Sequence, residues 1–207
     1  RLETPTTHTL FTLLLCLGVI AASAAGKPQE TVDGSRDLDI LSMLNVTERL
    51  VVVKRNHTTN TTFRCQSALR VGTASISTGY TYLLKARNGS HLEDVYNHSI
   101  VEVKLLQLPG STGYKATYLD RAPGEQTATR YNLTLKQADS SGGCFVIFVQ
   151  TNDSRKGCEL IVPASKRTSP IPETCENYYN NSCTGDSLQL YESNCRYDNL
   201  YSNVFGC

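Results

Sequence analysis

Between Val46 and Pro163 the sequence repeats one local pattern, and this pattern restricts the fold more than any other feature. Short segments rich in Val, Ile, Leu, Thr and Tyr alternate with turn residues, mainly Gly, Asn, Asp, Ser and Pro. Such regular spacing is typical of an antiparallel sandwich or barrel. No amphipathic helical pattern interrupts the segments, which favours an up-and-down meander over a parallel sheet.

Eight segments meet the criteria for strands, and two flanking segments meet those for helices. The predicted strands are Val46 to Arg55, Thr61 to Arg70, Tyr80 to Arg87, Ser99 to Leu108, Tyr114 to Arg121, Ala128 to Lys136, Cys144 to Gln150 and Cys158 to Pro163. A short helix is predicted within Leu38 to Leu44, and another within Pro170 to Ser182, just beyond its prolines. Closing the strands gives an all-β, eight-stranded up-and-down antiparallel barrel with room for one small ligand.

The first 25 residues have the order of a secretory signal peptide. Arg1 precedes an apolar run from Leu10 to Ile20, and small residues follow from Ala21 to Ala25. The apolar run is shorter than the roughly 20 residues that span a bilayer as a helix. We expect residues 1–25 to be removed. We expect residues 26–207 to form one secreted domain that is not bound to a membrane.

Seven cysteines follow the predicted signal peptide, which itself contains Cys16. They are Cys65, Cys144, Cys158, Cys175, Cys183, Cys195 and Cys207. Because no Cys-x-x-Cys pair occurs and the route is oxidising, we expect disulfides rather than metal ligands. The odd cysteine is free, joined to another chain, or paired with a residue beyond Cys207.

Asparagines in Asn-x-Ser/Thr sequons are frequent after the signal segment. Eight are present, at Asn45, Asn56, Asn60, Asn88, Asn97, Asn132, Asn152 and Asn180. Each one that carries a glycan must face solvent. The formal charge of +1, without a basic block, argues against a nucleic-acid partner.

Strand alternation predicts which side chains face the lumen. If Asn132 carries a glycan it faces outward, so Thr129, Tyr131, Leu133 and Leu135 face inward. The same alternation separates Tyr114, Ala116 and Tyr118 from Lys115 and Thr117, and Tyr80, Tyr82 and Leu84 from Thr81 and Lys85. Phe145, Ile147 and Val149 form the inward set of their strand. The predicted lumen is aromatic and largely uncharged.

Catalytic and metal-binding patterns are weak in this sequence. His91, Glu93, Asp94 and His98 cluster between the third and fourth predicted strands, beside two sequons, and we interpret them as a solvated polar loop. No Gly-x-Ser-x-Gly, His-Glu-x-x-His or phosphate-binding glycine loop occurs. We therefore expect neither an enzyme nor a cofactor. Tyrosines near the C terminus (Tyr178, Tyr179, Tyr191, Tyr197 and Tyr201) are expected to pack that segment or to offer a protein-binding face.

One stretch carries a family resemblance. Cys144-Phe145-Val146 is followed after twelve residues by Glu159-Leu160-Ile161, and after thirteen more by Cys175. This arrangement resembles the tick salivary lipocalins of the histamine-binding group, whose motif is Cys-Asp-aliphatic, then Glu-Leu-Trp/Tyr, then Cys. The likeness covers roughly residues 35 to 197. It implies disulfides Cys65 to Cys195 and Cys144 to Cys175, with Cys158 joined to Cys183 or Cys207.

Two departures from the motif bear on the ligand. Phe145 replaces the acidic residue, and Ile161 replaces the aromatic one, which weakens the case for a cationic amine because a buried ammonium needs such partners. Glu159 faces either the lumen or solvent. The predicted ligand-binding residues are Tyr80, Tyr82, Tyr114, Tyr118, Tyr131, Leu133, Phe145, Ile147, Glu159 and Ile161.

The resemblance implies a secreted, salivary, monomeric binder that sequesters a small hydrophobic ligand, such as a sterol, fatty acid or eicosanoid, and modulates host immunity. The glycosylated, cholesterol-associated japanin-like branch fits best. One alternative is a barrel scaffold that binds a host immune or haemostatic protein. Others are a histamine or serotonin binder and a receptor-binding β-sandwich whose strands form two sheets.

Overall fold

The computed structural model describes residues 36–121 and 126–197 of the chain. Eight strands form one closed antiparallel meander: β1 Leu50–Arg55, β2 Phe63–Ser75, β3 Gly79–Asn88, β4 Tyr96–Gln107, β5 Tyr114–Asp120, β6 Thr129–Ala138, β7 Phe145–Thr151 and β8 Lys156–Pro163. Each strand pairs with the next, and β1 closes the ring by pairing with both β8 and β2. The predicted eight-stranded barrel is confirmed. The predicted signal segment, Tyr201 and Cys207 lie outside the described residues.

Strand ends differ from the predicted ones where long-range pairing decides them. β1 begins at Leu50 rather than Val46, because the amide of Val46 donates to Met43 O at 3.1 Å and continues the preceding helical turn. β4 begins at Tyr96 rather than Ser99, since Tyr96 pairs with Arg87 of β3. The extension satisfies backbone groups of β3 that would otherwise lack partners.

A four-residue helix, α1 (Leu41–Leu44), closes one end of the barrel. Ile40 just before it is fully buried, and its amide donates to Tyr114 O at 3.0 Å. Met43 and Leu44 are buried in the same cluster as the inward side chains of the strands. The Tyr82 hydroxyl donates to Leu44 O at 3.0 Å, which fixes the end of α1 against β3.

The second helix, α2 (Glu173–Ser182), packs on the outside of the barrel. Pro172 stands at its N-cap, and Glu173 and Glu176 lie in its first turn, where acidic residues suit the helix dipole. Beneath it, the outward side chains Val146 and Leu160 are fully buried. Strands β7 and β8 are therefore apolar on both faces, because one face meets the lumen and the other meets α2.

The C-terminal segment completes the barrel wall between β1 and β2. These two strands pair only around Leu50 and Val51, among the described residues. Farther along, a short strand β9 (Leu188–Gln189) pairs with the end of β1. Leu190 donates its amide to Val53 O at 2.8 Å and accepts from the Cys65 amide at 2.7 Å. Its side chain is fully buried in the inner cluster. The sequence pattern gives no sign of this insertion.

Three disulfides tie this segment and α2 to the wall. Cys65 bonds to Cys195, Cys144 to Cys175, and Cys158 to Cys183, with Cα separations of 5.3, 6.2 and 5.8 Å. The first two pairs are those that the family resemblance implied. The third resolves the alternative between Cys183 and Cys207 for Cys158. Within the described ranges, no helix has the length and apolar character needed to cross a membrane.

Candidate ligand-binding cavity

A cavity of about 370 Å³ lies inside the barrel. This volume falls in the range of roughly 300–1,000 Å³ that is usual for small-molecule sites. Its floor is made by Met43 and Leu44 of α1, and its walls include Leu133, Val149 and Ile161. The part nearest α1 is therefore apolar.

The opposite end of the cavity is polar. Thr58 and Asn60 from the β1–β2 loop, Asp120 and Arg121 at the end of β5, and Arg155 from the β7–β8 turn line it. These loops all lie at the barrel end away from α1, because consecutive strands of a meander run in alternating directions. A molecule held here meets an apolar floor and a charged mouth.

Arg55, His57 and Glu159 form a buried cluster at the boundary between the two parts. Arg55 and Glu159 are cross-strand partners in the β1–β8 pair. His57 Nε2 lies 3.1 Å from Glu159 Oε1, and its Nδ1 lies 3.2 Å from Thr58 Oγ1. The carboxylate of Glu159 thus faces the lumen and is already bonded to His57.

A β-bulge explains how Arg55 reaches the cavity. Leu50 and Val52 face inward and Val51 and Val53 face outward. Between Val52 and Lys54 the register against β8 shifts, so Lys54 pairs with the outward Leu160 and Arg55 with the inward Glu159. One extra residue in β1 therefore reverses the alternation.

Opposing effects set the protonation of Glu159. Burial by itself raises the pKa of its carboxyl, but the hydrogen bond from His57 and the positive charges of His57 and Arg55 lower it further than burial raises it. The net result is a pKa below the ordinary value of 4.5. Glu159 is accordingly ionised at neutral pH in spite of its burial.

Arg55 has a donor group left over. Its Nη1 donates to Gln66 Oε1 at 2.8 Å and its Nη2 to Thr58 O at 3.1 Å. Its Nε is buried and has no hydrogen-bond partner in the described part of the chain. Burial lowers the pKa of Arg55, and the nearby carboxylate of Glu159 opposes this. An arginine still carries its charge, so Arg55 keeps one unsatisfied buried donor at the cavity wall.

Two stacked tyrosines adjoin this cluster. The rings of Tyr118 and Tyr131 lie 4.8 Å apart at 7° to each other, and both line the cavity. Burial, followed by the charge of Glu159, raises the pKa of Tyr118 well above its ordinary value. Tyr118 is therefore a neutral phenol that offers an aromatic face and a hydroxyl.

Seven of the ten residues predicted to bind ligand line the cavity. They are Tyr82, Tyr118, Tyr131, Leu133, Ile147, Glu159 and Ile161. Tyr80 and Phe145 are buried in the core, where the Tyr80 hydroxyl donates to Asn45 Oδ1 at 3.2 Å, and Tyr114 packs partly buried against that core. These three side chains support the closed end of the barrel rather than the cavity wall.

The prediction of a largely uncharged lumen is wrong at the polar end. Arg55, His57 and Glu159 are all buried there. Arg55 and His57 were not among the predicted ligand-binding residues, because strict alternation turns Arg55 outward and nothing local marks the bulge. The one sequence signal that could have pointed to Arg55 was the presence of a charged residue at the end of an otherwise apolar strand.

In the segment from His91 to His98, one acidic side chain makes a local hydrogen bond to the backbone. Asp94 Oδ2 accepts a hydrogen bond from the His91 amide at 2.7 Å, while His98 lies within β4 rather than in the loop. Across residues 36–121 and 126–197, no three His, Cys, Asp or Glu side chains are grouped to hold a metal ion.

A closed eight-stranded meander with an internal cavity, a helix across one end and a second helix bound to its wall defines a lipocalin-like barrel. The family model described as tick histamine binding protein matches residues 35–197, and the chain belongs to this family. A search among curated proteins gives no significant match. Family and fold together make the chain a small-ligand-binding protein of the lipocalin type.

Proposed function

We propose that this protein is secreted and sequesters a small hydrophobic ligand that carries a polar head group, such as a fatty acid, eicosanoid or sterol. The observation that carries the proposal is the cavity of about 370 Å³ inside the closed barrel, apolar at its floor and polar at its mouth. By removing a host mediator from solution, such a binder would modulate immune and inflammatory responses.

The apolar part of the cavity supplies the affinity. Each methylene group transferred from water to such surroundings gains about 0.8 kcal/mol. Met43 and Leu44 at the floor give a hydrocarbon chain or ring system a place to end. The apolar end of the ligand is therefore expected beside α1.

The polar part of the cavity supports a head group that accepts hydrogen bonds. Arg55, whose buried Nε is unpaired, and Tyr118 both line the cavity above the apolar floor. A hydroxyl, carbonyl or carboxylate placed there would satisfy the unpaired Nε. Satisfying a buried donor of this kind removes a penalty of about 1–3 kcal/mol.

A biogenic amine is the second candidate, supported by Glu159 facing the cavity near the stacked rings of Tyr118 and Tyr131. A carboxylate with aromatic faces suits an ammonium ion. However, Glu159 is already hydrogen-bonded to His57 and lies opposite the cationic Arg55. The ammonium would have to compete with both, which makes an amine the weaker proposal.

A scaffold that binds a host immune or haemostatic protein would be favoured by a lumen filled with its own side chains. The cavity instead retains about 370 Å³. This volume supports the ligand-binding role over the scaffold role.

Native mass spectrometry of protein secreted by eukaryotic cells tests the proposal. We expect denaturing extraction to release a lipid-like molecule, and the stripped protein to bind oleate or cholesterol in preference to histamine. Val149→Phe, which fills the cavity wall, should reduce this binding at least tenfold. Leu106→Phe, at an exposed position of β4, is the matched control and should bind as the wild type does.

Tight binding of histamine alone would favour the second candidate. Binding of no sterol, fatty acid, eicosanoid or amine, with no co-purified molecule, would refute the sequestration proposal and leave the scaffold role. Equal binding by the Val149→Phe and Leu106→Phe proteins would show that ligand does not occupy the barrel.

A further inference from the structure

Asn56 begins the sequon Asn56-His57-Thr58, yet its side chain is built into the fold. Its backbone N–H donates to Cys158 O at 3.1 Å, and its side-chain Oδ1 accepts from the Cys158 backbone amide at 2.5 Å. Its Nδ2 donates to Thr184 O at 2.6 Å. Asn56 therefore joins both sides of the Cys158–Cys183 disulfide, since Thr184 directly follows Cys183.

The space beside Asn56 Oδ1 is closed. A Cβ atom added at Gly157 would collide with this oxygen and would lie 3.0 Å from the Cβ of His57. Gly157 is thus the residue that lets β8 approach Asn56 closely.

The geometry of a glycan linkage conflicts with this closed space. N-glycosylation attaches the sugar to Nδ2, which makes the side chain a planar secondary amide that prefers the trans form. In the trans form the first carbon of the sugar lies on the same side of the C–N bond as Oδ1. At Asn56 the oxygen is packed closely against Gly157 and Cys158, and Nδ2 is already bonded to Thr184 O, so a sugar on Nδ2 would have to enter beside these contacts.

The rest of the sequon belongs to the cavity. His57 contacts Glu159, and the Thr58 carbonyl accepts from Arg55. We propose that Asn56 is a structural clamp that positions His57 and Thr58 at the binding site, and that the folded, secreted protein carries no glycan on it. This inference rests on the proposed secretion but not on the identity of the ligand.

Asn152 offers a matched comparison. It begins another sequon and is exposed in the β7–β8 turn. Its Oδ1 accepts from the Arg130 amide at 3.0 Å, a bond that an Nδ2-linked sugar leaves in place. Replacement of either asparagine by aspartate keeps an acceptor oxygen and removes the sequon. At Asn56 it also places a carboxylate oxygen against the carbonyl of Thr184.

Two measurements on the secreted protein test the clamp. In the first, glycans are removed by an amidase in heavy-oxygen water and peptides are mapped. We expect Asn56 to be recovered as unlabelled asparagine, and the Asn56→Asp protein to have the same glycan mass as the wild type. In the second, the variants, with their glycans trimmed by an endoglycosidase that leaves each asparagine in place, are unfolded by heat. Asn56→Asp should lower Tm by roughly 3–8 °C, and Asn152→Asp should change it by about 1 °C or less.

Labelled aspartate at position 56 in folded, secreted protein would overturn the inference. So would equal Tm values for the Asn56→Asp and Asn152→Asp variants, because a clamp must affect stability. Neither measurement depends on ligand, so a failure here is distinct from a failure of the proposed binding function.

Discussion

Arg55 and Glu159 lie opposite each other on β1 and β8, and a bulge at Val53 turns the arginine into the cavity that the glutamate already faces. The pair is buried, with His57 bonded to the same carboxylate. Its members stabilise each other because an isolated buried charge is costly. The barrel therefore holds a fixed polar group beneath its mouth and above its apolar floor.

The losses of stability on removing Arg55 and Glu159 one at a time should add up to more than the loss on removing both together. Glu159→Leu alone leaves the charge of Arg55 without a carboxylate, and Arg55→Met alone leaves Glu159 with His57 as its remaining cationic partner. Each should lower the free energy of unfolding by about 3 kcal/mol. In the double variant the loss should fall short of the sum by about 1 kcal/mol or more. Urea denaturation of the four proteins measures this coupling. Strict additivity would show that the two charges do not interact.

The free energy of unfolding should fall in acid, and protonation of Glu159 should account for part of that loss. Because its folded-state pKa lies below the ordinary value of 4.5, its contribution is complete above about pH 4.5 and is lost as pH falls through the lower, folded value. Glu159→Gln should therefore lose less stability than the wild type as pH falls below about 4.5. The control is Glu102→Gln, at an exposed position of β4. Denaturation midpoints that fall in parallel for wild type and Glu159→Gln would contradict this assignment.

The disulfides should contribute unequally to the free energy of unfolding. Cys65 and Cys195 are 130 residues apart, and Cys144 and Cys175 are 31 apart. Chain entropy predicts losses of about 5 and about 3.7 kcal/mol when each pair is replaced by alanine. Loss of the first pair should also free the segment between β1 and β2, so the amides of Cys65 and Leu190 should exchange hydrogen faster. Unchanged protection of these two amides would show that the segment is held without the disulfide.

Tryptophan substitution can test which side chains face the cavity, because the sequence contains no tryptophan. Tyr118 lines the cavity, while Leu119, the next residue of β5, is 50% exposed. Tyr118→Trp should emit at shorter wavelength than Leu119→Trp, and only the former should respond to added oleate. Identical emission maxima would contradict the assigned orientation of β5.

Much of the barrel could be predicted from the sequence because strand alternation is a local property. In β6 the structure places Tyr131, Leu133 and Leu135 on the inner side, as the alternation around Asn132 predicts. Turn residues between the segments likewise indicated the meander. Strand ends were less predictable, as β4 shows, because pairing with β3 rather than local composition sets its start at Tyr96.

The cavity itself was only partly predictable. Alternation selected Tyr118 and Ile161, but it also selected Phe145, which lies in the core near α1 rather than on the cavity wall. For Arg87, strand alternation gives the direction of the side chain but not its burial. It points out of the barrel but is fully buried, because the C-terminal segment covers it and Asn194 and Glu192 bind its guanidinium. How deep a side chain lies along the lumen depends on distant parts of the chain. Whether another segment covers the outside of a strand depends on them too.

The eight barrel strands, their inward and outward faces where no bulge occurs, and the disulfide character of the six described cysteines could all be predicted from the sequence. These follow from the two-residue period of a strand and from cysteine chemistry. The folded structure was needed to show that Arg55 faces Glu159, that Cys158 pairs with Cys183, and that Leu190 fills the gap between β1 and β2. Each of these is a contact between segments far apart in the chain, and a local pattern carries no information about which distant partner will meet it.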